Sequence, residues 1–153
     1  DNSRGKKEEL NMKIYIASDH AGRKAKLTAA KALDILGLKY EDLSPTNSPA
    51  DDYPDFAKIV AAKVKKEKAL GILTCGTGIG MSIAANRFRG IRAAFCSNRQ
   101  DAELARKHND ANILILSGAY THKHPKMKEI VKAFFGTKFE GGRHLRRLKK
   151  LDN

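Results

Sequence analysis

What the sequence lacks narrows it first. Among 153 residues there are two cysteines and no tryptophan. Two thiols, Cys75 and Cys96, are too few for the disulfide framework of a small secreted domain. No secretory signal pattern is present, so a reducing, cytoplasmic setting is expected. No apolar run approaches the ~20 residues that span a bilayer, and no membrane partner is expected. Acidic residues are scarce as well, 17 Asp and Glu against 30 Lys and Arg. That excludes an acidic solvating tail and leaves a net charge of +13, which asks for anionic partners such as phosphates, nucleic acid or a membrane surface. Only six Phe and four Tyr are present, and no RNA-binding signature accompanies them. A nucleic-acid partner is therefore not expected, and a non-enzymatic nucleic-acid-binding protein stands only as the competing class.

What is present describes one folded domain. Hydrophobic residues make up 41% and charged residues 31%, a globular rather than a disordered composition. A chain of this length buries roughly 70% of its unfolded surface without staples. Residues 1–11 are polar and lysine-rich, and are expected to be a disordered extension or an expression remnant. Residues 12–151 are expected to form a single domain.

Along that domain short β-rich runs alternate with helical patterns. Strands are predicted at 14–17, 38–43, 70–74, 91–95 and 113–116, and helices at 23–36, 56–66, 79–88, 101–107, 125–135 and 143–151. The Ser-, Asn-, Asp- and Pro-rich stretch 44–54 is predicted as a loop. Five such alternations mark an α/β fold, a parallel sheet with helices on both faces. Ligands of such sheets bind at the carboxyl ends of the strands. Asp19-His20, Cys75–Gly80 and Ser97-Asn98 stand there.

Cys75-Gly76-Thr77-Gly78-Ile79-Gly80-Met81 is the most informative of these segments. Three glycines in five positions between a strand and a helix let backbone N–H groups converge on an anion, either a phosphate or a reaction oxyanion. The same glycines also fit a tight turn that needs only their dihedral freedom. The dinucleotide fingerprint would require glycine where Ile83 stands, and no Gly-Lys-Ser/Thr is present, so nucleotide binding is unsupported. At the mouth of the following helix the Cys75 thiolate is favoured and could serve as nucleophile or base; a buried small hydrophobe is the competing reading, and is preferred for Cys96. Asp19-His20 suits sugar hydroxyls or phosphate, or helix capping. His108 is a candidate acid/base or a helix C-terminal cation. Arg143 and Arg147, four apart, share one helix face and suit a phosphate. No His, Cys and Asp spacing resembles a metal site.

Seven motifs in order carry a resemblance. They are Ser18-Asp19-His20-Ala21-Gly22, Asp52-Tyr53-Pro54-Asp55, Gly71–Gly80, Ala85-Asn86-Arg87, Gly90-Ile91-Arg92-Ala93-Ala94, His108-Asn109-Asp110-Ala111-Asn112 and Phe139-Glu140-Gly141-Gly142-Arg143-His144. Together they resemble type B ribose-5-phosphate isomerases, in the wider family that includes galactose-6-phosphate isomerase subunits, over about residues 12–151. The resemblance implies a Rossmann-like three-layer αβα sandwich with a five-stranded parallel sheet and an extra basic C-terminal helix. It implies a homodimer, with tetramers left open, whose active sites lie at the subunit interface. The implied reaction interconverts D-ribose 5-phosphate and D-ribulose 5-phosphate without metal or organic cofactor. By that pattern Cys75 moves a proton between C1 and C2, and Gly76, Thr77, Gly78, Ile79 and Gly80 hold the enediolate. His108 opens the furanose ring with help from Asp19. His20, Arg143 and Arg147 bind phosphate, and Asn109 and Tyr53 contact the sugar. Eleven residues after His108, where many relatives have arginine, this chain has Ala119. A preference for a six-carbon sugar phosphate, allose or galactose 6-phosphate, is the alternative that this departure suggests.

Overall fold

A computed structural model describes residues 3–4, 11–119 and 124–152. The expected extension 1–11 lies largely outside the described residues. Five strands, β1 (Ile14–Ser18), β2 (Glu41–Asp42), β3 (Leu70–Cys75), β4 (Ala93–Phe95) and β5 (Ile113–Ser117), form one sheet in the order β2-β1-β3-β5-β4. Every pairing is parallel. The helices are α1 (Arg23–Ile35), α2 (Tyr53–Glu67), α3 (Ile79–Ala85), α4 (Arg99–Asn109), α5 (His124–Gly136) and α6 (Arg143–Lys149).

The all-buried runs of β1 and β5 explain why the sheet lies inside. A parallel sheet needs cover on both faces, so its central strands are apolar throughout rather than alternating. Side-chain alternation then divides the core. Ile14, Ile16, Ile72, Leu114 and Leu116 pack against α1, α4 and α5 through residues such as Leu33, Ala102 and Phe134. Tyr15, Ala17, Leu73, Cys75 and Ile115 face α2 and α3, meeting Val60, Val64 and Met81. This is the expected three-layer αβα sandwich with a small basic helix, α6, at the end.

Element edges differ from the sequence expectation where side chains decide them. Helix α2 begins at Tyr53, inside the stretch predicted as loop, because Pro54 occupies its first turn, where a missing N–H costs nothing. Helix α3 ends at Ala85 instead of residue 88. There Asn86 turns its side chain away to bond Ala93 on both N–H (2.8 Å) and C=O (2.9 Å). Helix α4 extends through His108 and Asn109, which were predicted to follow it.

Candidate active site

The carboxyl ends of β1, β3 and β5 are pressed together around Cys75. At Gly22 an added Cβ would lie 2.4 Å from the Thr74 carbonyl carbon and 2.6 Å from the Cys75 nitrogen. The turn after β1 therefore rests directly on the end of β3. Thr74 Oγ1 donates to the Gly22 carbonyl at 2.7 Å, and the Gly118 amide donates to the Cys75 carbonyl at 2.8 Å. Asp19, only 5% exposed, accepts the Gly22 N–H at 2.9 Å. Asp19 thus stands at the strand ends and braces the turn before α1, whose N-cap is Gly22 with no side-chain cap; the capping reading of Asp19 is not met.

Cys75 is 4% exposed, and its Sγ accepts the Gly78 amide at 3.2 Å. Gly78 has φ +85°, and a Cβ there would strike the Phe95 ring at 2.8 Å, so both conformation and space demand glycine. The Ile79 amide donates to Thr77 Oγ1 at 3.2 Å. Two of the five amides expected to receive an oxyanion are therefore engaged inside the loop. Binding a substrate oxygen there exchanges one hydrogen bond for another. The Tyr53 ring lies against Gly80 and places its phenol beside the loop.

His20 is held by a residue that the sequence did not single out. Asp51 Oδ1 accepts from the His20 backbone N–H at 2.9 Å and lies 2.7 Å from the ring Nδ1. Asn47 Nδ2 donates to Asp51 Oδ2 at 2.8 Å and also to the Ser18 carbonyl at 2.9 Å. The hydrogen bond to Asp51, opposed by partial burial and reinforced by the charge of Asp19, raises the His20 pKa above its ordinary 6.5. Burial alone would raise the Asp51 carboxyl; the hydrogen bonds from Asn47, His20 and Ser48 outweigh it and hold the group at about 2. Nothing in the polar stretch 44–54 distinguishes these two residues from ordinary loop chemistry.

His108, Asn109, Arg143 and Arg147 lie elsewhere. Helix α4 descends from the carboxyl edge of the sheet to its amino edge, where Arg92 Nε bonds the carbonyls of Asn109 and Asp110 at 3.0 Å. The Gly71–Cys75 stretch of β3 at about 3.3 Å per residue separates that edge from the thiol by roughly 13 Å. Helix α4 also covers the sheet face opposite to the one carrying Cys75. Within one chain the sequence-predicted site thus falls into two halves. Arg143 and Arg147 are exposed and make no ion pair among the described residues.

In the second half the His108 ring stacks on His144 with centroids 4.3 Å apart. His144 is 7% exposed. Its pKa is lowered, first by burial and then by the charges of Arg143 and His108. Glu140 completes a cluster whose potential ligand atoms all lie within 4.8 Å of one another. Its members come from α4 and from the segment entering α6, so no local sequence spacing reports it.

Comparison with known proteins settles the family. The model of the ribose/galactose isomerase family matches residues 14–151. The chain belongs to the ribose/galactose isomerase family. It is 41% identical over 140 residues to ribose-5-phosphate isomerase B of Escherichia coli (strain K12), covering 91% of this chain and 93% of that protein. Its fold is similar to the crystal structure of a ribose 5-phosphate isomerase from Thermotoga maritima, with TM-score 0.88 and 48% identity, covering 93% of this chain and 98% of that one. It is also similar to ribose-5-phosphate isomerase B of Mycoplasma genitalium solved with bound ribulose-5-phosphate, with TM-score 0.86 and 43% identity over 93% of this chain and 95% of that one. For a family member the Cys75 loop and the strand ends around it are the natural place to seek the chemistry.

Proposed function

We propose that the chain is an aldose–ketose isomerase acting on D-ribose 5-phosphate and D-ribulose 5-phosphate, without a metal or organic cofactor. The observation that carries this reading is the likeness, over nearly the whole chain, to an isomerase solved with ribulose 5-phosphate. The cysteine and oxyanion loop described above suit the same chemistry. His108, assisted by Asp19, opens the furanose ring. The Cys75 thiolate then takes the C2 proton of the open aldose, and the electron pair moves through C1 onto O1. Return of a proton to C1 and passage of the O2 proton to O1 leave the ketone at C2. Amides of the Gly76–Gly80 loop, with Thr77, stabilise the enediolate where charge develops. The phosphate takes no part in bond making, so its grip by His20, Arg143 and Arg147 supplies orientation, while Tyr53 and Asn109 contact the sugar.

The reading includes a homodimer. One chain places His108 and Cys75 on different faces and different edges of the sheet, and a second copy supplies the missing half to each site. The surface beside the loop suits such a partner: Ile79, Ile83, Phe95 and Tyr53 are 65%, 63%, 43% and 39% exposed, an apolar patch at the rim of the site. Both cysteines are free, as a reducing, cytoplasmic setting requires. Among the described residues no helix is long and apolar enough to cross a membrane.

The deciding assay follows ribulose 5-phosphate formation from ribose 5-phosphate by purified, EDTA-treated protein, in parallel with allose and galactose 6-phosphates. Turnover of the pentose is expected, and its absence overturns the reading. A faster six-carbon reaction would instead assign the second reading. That reading rests on Ala119, whose amide donates to the Gly76 carbonyl at 2.9 Å and so puts a small uncharged side chain beside the loop.

A further inference from the structure

We propose that His108, Glu140 and His144 form a binding site for a divalent transition-metal cation of the zinc class, and that the bound cation inhibits the enzyme. The donor set, two imidazoles and a carboxylate, is one that zinc accepts, with a water in a fourth position. The ligand atoms already lie within 4.8 Å of one another, and His144 Nε2 stands 3.6 Å from Glu140 Oε2. Around a tetrahedral zinc such atoms sit about 3.4 Å apart, given bonds of about 2.1 Å. Small side-chain rotations suffice, and Glu140, with its side chain 47% exposed, has room to make them.

A second observation points to a ligand. His144 Nε2 is buried and has no hydrogen-bond partner, a costly state for a polar atom. The Glu140 carboxylate faces it at 3.6 Å, a distance too long for a hydrogen bond. A cation between the two satisfies both. The backbone is also fixed for the purpose. The Glu140 amide donates to the Lys107 carbonyl at 3.1 Å, which ties the carboxylate's segment to the residue next to His108. The ring stack places the two imidazoles face to face, and a tilt of one ring out of the stack turns both lone pairs toward one ion.

Occupancy removes the His108 imidazole from proton transfer, because the lone pair that would exchange the proton is bound to the metal. This inhibitory clause rests on the isomerase reading; the binding clause does not. The two are read separately. Binding is followed by the visible absorption of Co²⁺ as it enters the purified full-length chain, and by displacement with Zn²⁺. One ion per chain is expected in wild type. In Glu140→Gln, binding weakens by about 100-fold or more, and binding by Cys75→Ser is unchanged. Glu140→Gln changes no group that the reaction uses, so its metal-free turnover stays at the wild-type level and vouches for its fold.

Absence of a Co²⁺ spectrum, equal affinity in Glu140→Gln, or a thiolate charge-transfer band lost in Cys75→Ser would each overturn the site. Zn²⁺ should also suppress wild-type turnover at concentrations that leave Glu140→Gln active. Equal suppression of the two overturns the inhibitory clause. A chain that binds Co²⁺ as expected but turns over no sugar phosphate would uphold the site and sink the isomerase reading instead.

Discussion

At the carboxyl edge of the sheet Cys75, Asp19 and Gly78 are buried, and hydrogen bonds tie Asp19 to the Gly22 amide and the Gly78 amide to Cys75 Sγ. At the opposite edge Asn109, Arg143 and Arg147 stand in solvent, and these two arginines make no ion pair among the described residues. The first region has the rigidity that proton transfer and oxyanion binding require. The second has free positive charge and no reacting group near Cys75. On the proposed reading the labour is divided: one edge does the chemistry, and the other brings a hand for the phosphate and a proton to the partner's site. The net charge of +13 fits this division. Residues 122–153 carry ten Lys and Arg against three Asp and Glu, and the proposed reading gives a binding task only to Arg143 and Arg147, leaving the other cations to steer anions.

The comparison breaks most sharply at its two catalytic groups. Cys75→Ala and His108→Asn are each expected to lower kcat by about 10² to 10⁴-fold, the usual worth of a positioned acid or base. Neither change disturbs the sheet. If the halves belong to different copies, as proposed, unfolding and refolding the two inactive variants together should restore activity to roughly a quarter of the wild-type sites, those with both groups intact in mixed dimers. No recovery on mixing would place both groups in one chain's site and end the divided-site account.

A smaller effect is expected at the exposed cations. Arg143→Ala and Arg147→Ala should each raise KM for the sugar phosphate by about tenfold, roughly 1.4 kcal/mol of charge-assisted hydrogen bonding. Their kcat should hold, since the phosphate does not react. Steady-state kinetics with saturating substrate separates the two parameters. A fall in kcat at constant KM would move the arginines from binding to chemistry.

These two regions were unequally legible in the sequence. The Cys75–Met81 run is contiguous, and its glycines, strand and helix announce a loop that receives an anion. The buried runs of β1, β3 and β5 announce the parallel sheet. Nothing local announces that His108 and Cys75 lie at opposite edges, because that follows from the direction in which α4 runs. The Asp51 clamp on His20 and the Glu140–His144 approach were likewise hidden. The first joins residues from separate segments; the second is a four-residue spacing that does not by itself say that both side chains turn toward His108. The start of α2 at Tyr53 was missed because the surrounding Pro and Asp residues read equally well as loop.

The smallest effect concerns Asp51, and it is a test of pH dependence. On the proposed reading His20 grips phosphate as an imidazolium. Asp51 raises its pKa above 6.5, so the charge persists to higher pH than an unpaired histidine would allow. KM is therefore expected to stay flat through pH 6.5 and to climb only as pH passes the raised value. The carboxylate itself titrates at about 2, so it remains ionised throughout. The pair stabilises the fold between those two limits, fading below as Asp51 gains its proton and above as His20 loses its own. Asp51→Asn keeps the shape of the side chain and removes the charge. The climb in KM should then begin nearer pH 6.5, with a rise of about threefold at pH 7.5, a modest figure because the imidazole is half exposed and screened. A KM profile that is the same in Asp51→Asn and wild type would leave His20 without a phosphate role, and the grip would rest on the arginines of the partner's edge alone.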